Sequence, residues 1–232
     1  MIAVIWLAQL SQGFKPEPLG FRYPRREGYV SLGLFALVLV FAFFFYPLTN
    51  AGYTSVARLA DPTGLLWQRL TVAGISALPF ILALLVRGQP PRSAGCGRAM
   101  LGPSFRLGLA LAFLTIFLRG KIFGLINGVS PAELYALLAW VGISLVEESI
   151  FRGYLQLRLS AWLGDRWGWL ASAGLFVVWQ APRLMANQAN LLVSLGLAAV
   201  QGLILGWLAR KSGHVLAGAI YRVISELAGY LL

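Results

Sequence analysis

The 232-residue chain has one cysteine, Cys96, and one histidine, His214. A single thiol excludes an intrachain disulfide. Charge is scarce as well: 12% of the residues are charged, against about 25% in a soluble domain. The acids number eight against nineteen lysines and arginines, so the net charge is +11. No internal repeat and no low-complexity tract is visible. Residues 1–14 are apolar but lack a basic leading region and a small-residue cleavage site, so they read as a short interfacial or partial helix rather than a signal peptide.

What is abundant is apolar sequence, 59% of the chain, in long blocks. Phe35 to Tyr46 holds no charge and no side-chain amide. A crossing needs about 20 mainly apolar residues. Seven stretches qualify with their flanks: 29–50, 66–87, 105–124, 131–152, 168–186, 190–209 and 214–232. Residues 1–14 would supply an eighth, incomplete one. The expected fold is therefore an all-α polytopic transmembrane bundle of seven to eight spans. Residues 15–232 would form one domain, with its core in 131–232. Glycine, proline, asparagine and charge clusters mark the connections, as at Gln89-Pro90-Pro91-Arg92 and Lys211-Ser212-Gly213.

The basic residues sort by side. Alternating the connections places thirteen cations on the side of the first and five on the other, with Arg222 inside the last span. The positive-inside rule puts the richer side in the cytoplasm. Segments 15–28, 88–104, 153–167 and 210–213 would then be cytoplasmic, in a cell membrane. The excess of cations thus reads as orientation. It does not read as nucleic-acid binding, because no basic stripe with interleaved aromatics lies outside the spans. Tyr154, Leu155, Leu157, Leu159, Trp162 and Leu163 are expected to lie in the interface, with Arg158, Asp165 and Arg166 facing water and Trp162, Trp167 and Trp169 as an aromatic belt.

One span carries acids. Ser130-Pro131-Ala132-Glu133 reads as a capping box with proline in the first helical position. The helix it starts reaches Val146-Glu147-Glu148-Ser149-Ile150-Phe151-Arg152-Gly153. Acids inside a membrane are costly and point to function. Glu148 and Arg152 are four residues apart with the acid first, the favoured order for an ion pair. Glu147 lies about 100° further round the helix and has no partner in its own turn. It is expected to be the freer acid, suited to a general base. Spacing alone is equally served by acids that join helices through arginines.

The run Glu147-Glu148-Ser149-Ile150-Phe151-Arg152 resembles the first motif of the CPBP family, the CAAX-prenyl proteases and bacteriocin-processing or Abi proteins. Gly202 to Gly213 is similar to the family's glycine-rich helix and basic turn, and Leu19-Gly20-Phe21-Arg22-Tyr23-Pro24 to its entry element. The resemblance implies an intramembrane endopeptidase in which the position of Glu147 activates water. Two histidines on later helices assist, and a metal has been proposed. Here both histidines are replaced. Phe176-Val177-Val178-Trp179-Gln180 matches the second motif with Gln180 in place of histidine, and Arg222 falls at the other, with Ser225 or Glu226 near the partner asparagine. His214 sits at a helix entry and cannot stand in.

Gln180 can bond a water but cannot take its proton at neutral pH. Arg222 is always charged, and beside Glu147 it would favour the ionised, less basic acid. A zinc site needs about three protein ligands, so no metal and no cofactor is expected. Three functions follow. One is a degenerate homologue that binds or scaffolds other membrane proteins, with Glu147, Glu148, Arg152, Gln180 and Arg222 as an ion-pair network near Phe176 and Glu226. The second is an active endopeptidase using Glu147, Glu148, Arg152 and Gln180. The third is a proton-coupled transporter, since acids within spans serve proton relays. The expected partners are the lipid bilayer and other membrane proteins.

Overall fold

A computed structural model describes residues 20–51, 62–121, 130–187 and 190–230. Residues 1–14 lie outside them. The described residues are helical, without strands. The order is α1 Pro24–Ala51, α2 Pro62–Val86, α3 Leu101–Leu118, α4 Pro131–Glu148, a π-helical segment Ser149–Leu155, α5 Gln156–Leu163, α6 Asp165–Ala186, α7 Leu191–Ser212 and α8 Leu216–Tyr230. Where described, each of the seven apolar stretches falls largely on a helix. Five described helical stretches are long and apolar enough to cross a membrane: Pro24–Thr49, Leu66–Val86, Leu101–Leu118, Glu133–Leu163 and Leu191–Ser212. Helix α6 carries Asp165, Arg166 and Arg183, and α8 is 15 residues long with Arg222 and Glu226 in it.

The packing is inverted relative to a soluble domain. Large apolar side chains face outward, among them Leu192 at 85% exposure and Leu85 at 71%. Charged ones lie inside, including Arg152, Arg158 and Arg222. A helix suits this setting because it satisfies its own backbone polar groups. Phe35, Val38 and Ala42 of α1 and Val72 and Phe80 of α2 pack on Phe151, Tyr154 and Leu155 of the π-helical segment. Phe176 and Trp179 of α6 close the same core. A smaller core joins Leu66 of α2, Ala139, Trp140 and Ile143 of α4, and Val223 of α8.

Two expectations need correction here. The span beginning at 131 does not end at 152. The chain stays helical through the π-helical segment and α5 to Leu163, because the acids are followed by further apolar residues that the core can bury. Gly153 permits the close approach of the preceding connection: a Cβ there would sit 1.9 Å from the Ala94 carbonyl oxygen. Arg158 does not face water either. It is fully buried, and its Nε donates to Glu27 Oε2 at 3.1 Å. Its NH1 donates to the Ser93 carbonyl at 3.0 Å, and its guanidinium lies 3.4 Å from the Tyr154 ring centroid. Arg87 also pairs with Glu27, and Gln89 accepts from Arg158. This clamp ties α1 and the connection after α2 to α5.

Of the five predicted interface residues in this stretch beyond Trp162, Tyr154, Leu155 and Leu159 are buried in the core instead. Asp165, Arg166 and Trp167 are exposed, as expected. Asp165 pairs with Arg210 of α7. Arg69, Arg152 and Arg158, counted by sequence as connection charges, are buried. Without them the cations still divide eleven to four. Gly142, Gly202 and Gly206 permit close helix approach, against Leu70, Phe176 and Trp169 respectively, whereas Gly174 faces open space.

Removing one partner of a buried, hydrogen-bonded charge costs about 3–5 kcal/mol, because the other charge stays uncompensated. Glu27→Ala strands both Arg158 and Arg87. It is expected to lower the thermal midpoint of the detergent-solubilised protein by many degrees, whereas Arg25→Ala, at an exposed position on the same helix, leaves it unchanged.

Candidate functional site

The site is organised by the end of α4. At its start, Glu133 N donates to Ser130 Oγ at 3.3 Å and Ser130 N donates to Glu133 Oε2 at 2.6 Å, the reciprocal capping box read from the sequence. At its other end the α-helical repeat gives way to the π-helical turn immediately after Glu148. Such turns are frequent at functional sites. Here the wider turn carries Arg152, whose Nε lies 3.4 Å from Glu148 Oε2. The same arginine donates to the Gly202 carbonyl of α7 at 3.2 Å. Glu148 is fully enclosed, and Gly218 of α8 makes room for it: a Cβ at that position would stand 2.9 Å from Glu148 Oε2.

Glu147 is not the free acid that helix geometry suggested. Arg222 NH2 of α8 donates to Glu147 Oε2 at 2.5 Å, and Arg69 NH2 of α2 lies 3.7 Å from the same oxygen. Trp179 Nε1 of α6 donates to Glu147 Oε1 at 3.4 Å. The partners come from other helices, so spacing within α4 could not reveal them. Arg222 also bridges to the second acid, with NH1 3.6 Å from Glu148 Oε1. Phe176 sits beside both arginines, its ring centroid 4.3 Å from the Arg152 guanidinium carbon and 5.2 Å from that of Arg222. These are cation–π distances. The four charged groups of α4, the π-helical segment and α8 are nearly inaccessible: Glu148 and Arg222 at 0%, Arg152 at 2% and Glu147 at 3%.

Gln180 has a hydrogen-bond partner on its own helix. It is buried, and its Oε1 accepts from Arg183 NH2 at 3.0 Å, one turn along α6. Glu226 borders the same cavity as Gln180. Arg222 hydrogen-bonds Glu147 and lies within ion-pair distance of Glu148, rather than pairing with Glu226 four residues on. Sequence reasoning missed Arg69 altogether. It looked like a connection charge at the edge of α2, yet it stacks on Trp140 of α4 at 4.5 Å and reaches into the cluster. The one available signal was its position inside an otherwise apolar stretch, beside Trp67 and Gln68.

The sequence profile of the type II CAAX prenyl endopeptidase Rce1-like family matches residues 129–228. That segment, somewhat less than half of the chain, is similar to the CAAX-protease family. The matched segment runs from the connection before α4 into α8 and so contains every charged group of the cluster except Arg69. No curated protein and no solved structure matches the chain significantly. The profile match supports a CAAX-protease-like membrane protein.

The residues do not fit a divalent metal. Among the described residues no three His, Cys, Asp or Glu side chains gather. The position beside Glu147 where a cation would sit is taken by the Arg222 guanidinium. His214 is used locally, its Nδ1 accepting from Leu216 N at 2.9 Å.

The pair should show as coupling. A double-mutant cycle with Glu147→Gln and Arg222→Gln is expected to give an interaction energy at the upper end of the usual range, about 2–3 kcal/mol, when apparent stability in detergent is measured. Arg222→Gln alone should be the most damaging of the three variants, because it takes a cationic partner from both carboxylates at once.

Proposed function

We propose that the protein retains the CAAX-protease fold without the peptidase and acts as a binding or scaffolding subunit for other membrane proteins. The observation that supports this most is the 2.5 Å bond from Arg222 to Glu147. A general base must present a free lone pair to a water within hydrogen-bond reach. Glu147 Oε2 instead receives Arg222 with Arg69 close behind, and Oε1 receives Trp179. Neither guanidinium can shuttle a proton. Gln180 cannot either, and its oxygen is already engaged. The cluster has the character of a structural network that joins four helices.

The active-peptidase reading needs Glu147 to exchange these partners for water. In a cleavage assay with a membrane-anchored CAAX-type peptide, the wild type is expected to give no more product than Glu147→Ala. Glu147-dependent cleavage would overturn the proposal. Affinity purification from native membranes, with cross-linking, is expected to recover a stoichiometric membrane-protein partner that Glu147→Ala retains.

For topology we propose seven crossings, with α6 and α8 completing the five apolar ones. Residues 15–232 would act as one domain in the cytoplasmic membrane. Residues 1–14 would add an interfacial or partial segment. The eleven-to-four division of the remaining cations supports a cytoplasmic connection between α2 and α3. Cys96 lies in that connection and is exposed, so it reports sidedness without added cysteines. Partial burial pushes its thiol up from the ordinary value. The thiolate is the nucleophile, so labelling by a membrane-impermeant maleimide should be slow at neutral pH and accelerate as pH rises. It should occur in inverted vesicles and not in intact cells.

A further inference from the structure

Beside the charged cluster lies a cavity of about 440 Å³. It is walled by α2, α6, α7 and α8 and the end of α3. Its polar lining is unbalanced. Arg69, Arg119 and Arg183 contribute three positive charges, and Glu226 is the one acid. Arg69 is shared with Glu147. Neither Arg119 nor Arg183 has an acid within ion-pair distance among the described residues. Arg119 spends its hydrogen bonds on Ser225, at 2.9 Å to the carbonyl and 3.4 Å to the hydroxyl. Arg183 is bonded to the neutral Gln180.

Donors are also left over. Gln180, at 4% exposure, has a side-chain Nε2 without a protein partner. The same holds for Arg69 Nε and Arg183 Nε. Buried donors normally find acceptors, and these border a space large enough for a ligand. One side of the cavity is apolar and outward-facing: Leu197, Val200 and Ile204 of α7 line it, at 67%, 56% and 41% exposure. Arg69, Arg119 and Arg183 are moreover three of the five cations on the cation-poor side of the chain. They are therefore gathered at one site rather than spread along that side.

We propose that this cavity binds a phosphate oxyanion, carried by an anionic lipid whose chain lies along the exposed face of α7. Arginine forks match phosphate geometry, and the free amide of Gln180 supplies a neutral donor beside them. The acyl chain meets the apolar wall. Glu226 at the edge limits the net positive charge, so a monoester or diester headgroup is favoured over more highly charged groups. This deepens the binding role proposed above by naming a ligand class, and rests on it only for the reading that the chain binds a membrane component. The two fail separately: Glu147-dependent cleavage would sink the loss of peptidase activity and leave oxyanion binding untouched.

The test uses the full chain in neutral detergent, titrated with short-chain phosphatidic acid, short-chain phosphatidylcholine and inorganic phosphate. Binding is followed by native mass spectrometry and thermal shift. Phosphatidic acid is expected to bind and stabilise. Arg119→Gln and Arg183→Gln should each weaken it about tenfold or more, the loss of one charge-assisted hydrogen bond, while the exposed Arg25→Gln leaves it unchanged. Arg183→Lys keeps the charge and should retain part of the affinity if Arg183→Gln fails to fold. Competition by inorganic phosphate at higher concentration identifies the headgroup as the recognised part. Inorganic phosphate binding as tightly as the lipid would overturn the lipid as carrier. Equal binding of phosphatidylcholine, or arginine variants that bind like the wild type, would overturn the site.

Discussion

The rest of the structure depends on how four buried charges are neutralised in a setting that cannot solvate them. Glu147 and Glu148 leave α4 side by side, and each must find a positive partner before the helix can be buried. Arg152 serves Glu148 from the same chain segment. Arg222 crosses from α8 to serve both acids, and Arg69 approaches from α2. The pairing fixes the relative positions of α2, α4 and α8. The rings of Phe176 and Trp179 then bring α6 to the same point. Arg152 extends the network to the backbone of α7. A change at any member therefore alters the neighbours of several helices at once.

A second buried network, built on Glu27 and Arg158, performs a comparable task at another level of the bundle. It draws in the start of α1, the connection after α2, and α5. Both networks use arginine rather than lysine. The planar fork can serve several acceptors from one position and stays charged when buried. In Arg158 that fork engages a carboxylate, an amide and two backbone carbonyls. The eight acids of the chain are few, and three of them, Glu27, Glu147 and Glu148, are committed to these buried clusters.

The relation to the CAAX proteases has a chemical consequence. The matched segment contains Glu147, Glu148 and Arg152, and the positions where the sequence resemblance would place histidines hold Gln180 and Arg222, which cannot act as bases at neutral pH. Arg222 does more than fail as a base. It introduces a permanent positive charge within bonding distance of the acid that would act on water.

Several features were determined by the sequence alone. The apolar blocks dictate helices, because a chain this poor in charge must satisfy its backbone internally wherever lipid surrounds it. The Ser130–Glu133 box and the Glu148–Arg152 pair were equally legible, since their partners lie within one helical turn. The tertiary structure decided the rest. Which arginine neutralises Glu147 depends on the contact of α4 with α8 and α2, positions 75 and 78 residues away in the chain. The burial of Arg158, the persistence of the helix to Leu163 and the turning of Gln180 toward Arg183 likewise depend on which helices meet. Local spacing specifies what one helix can offer, whereas the neutralisation of a buried charge is settled by the helix that packs across from it.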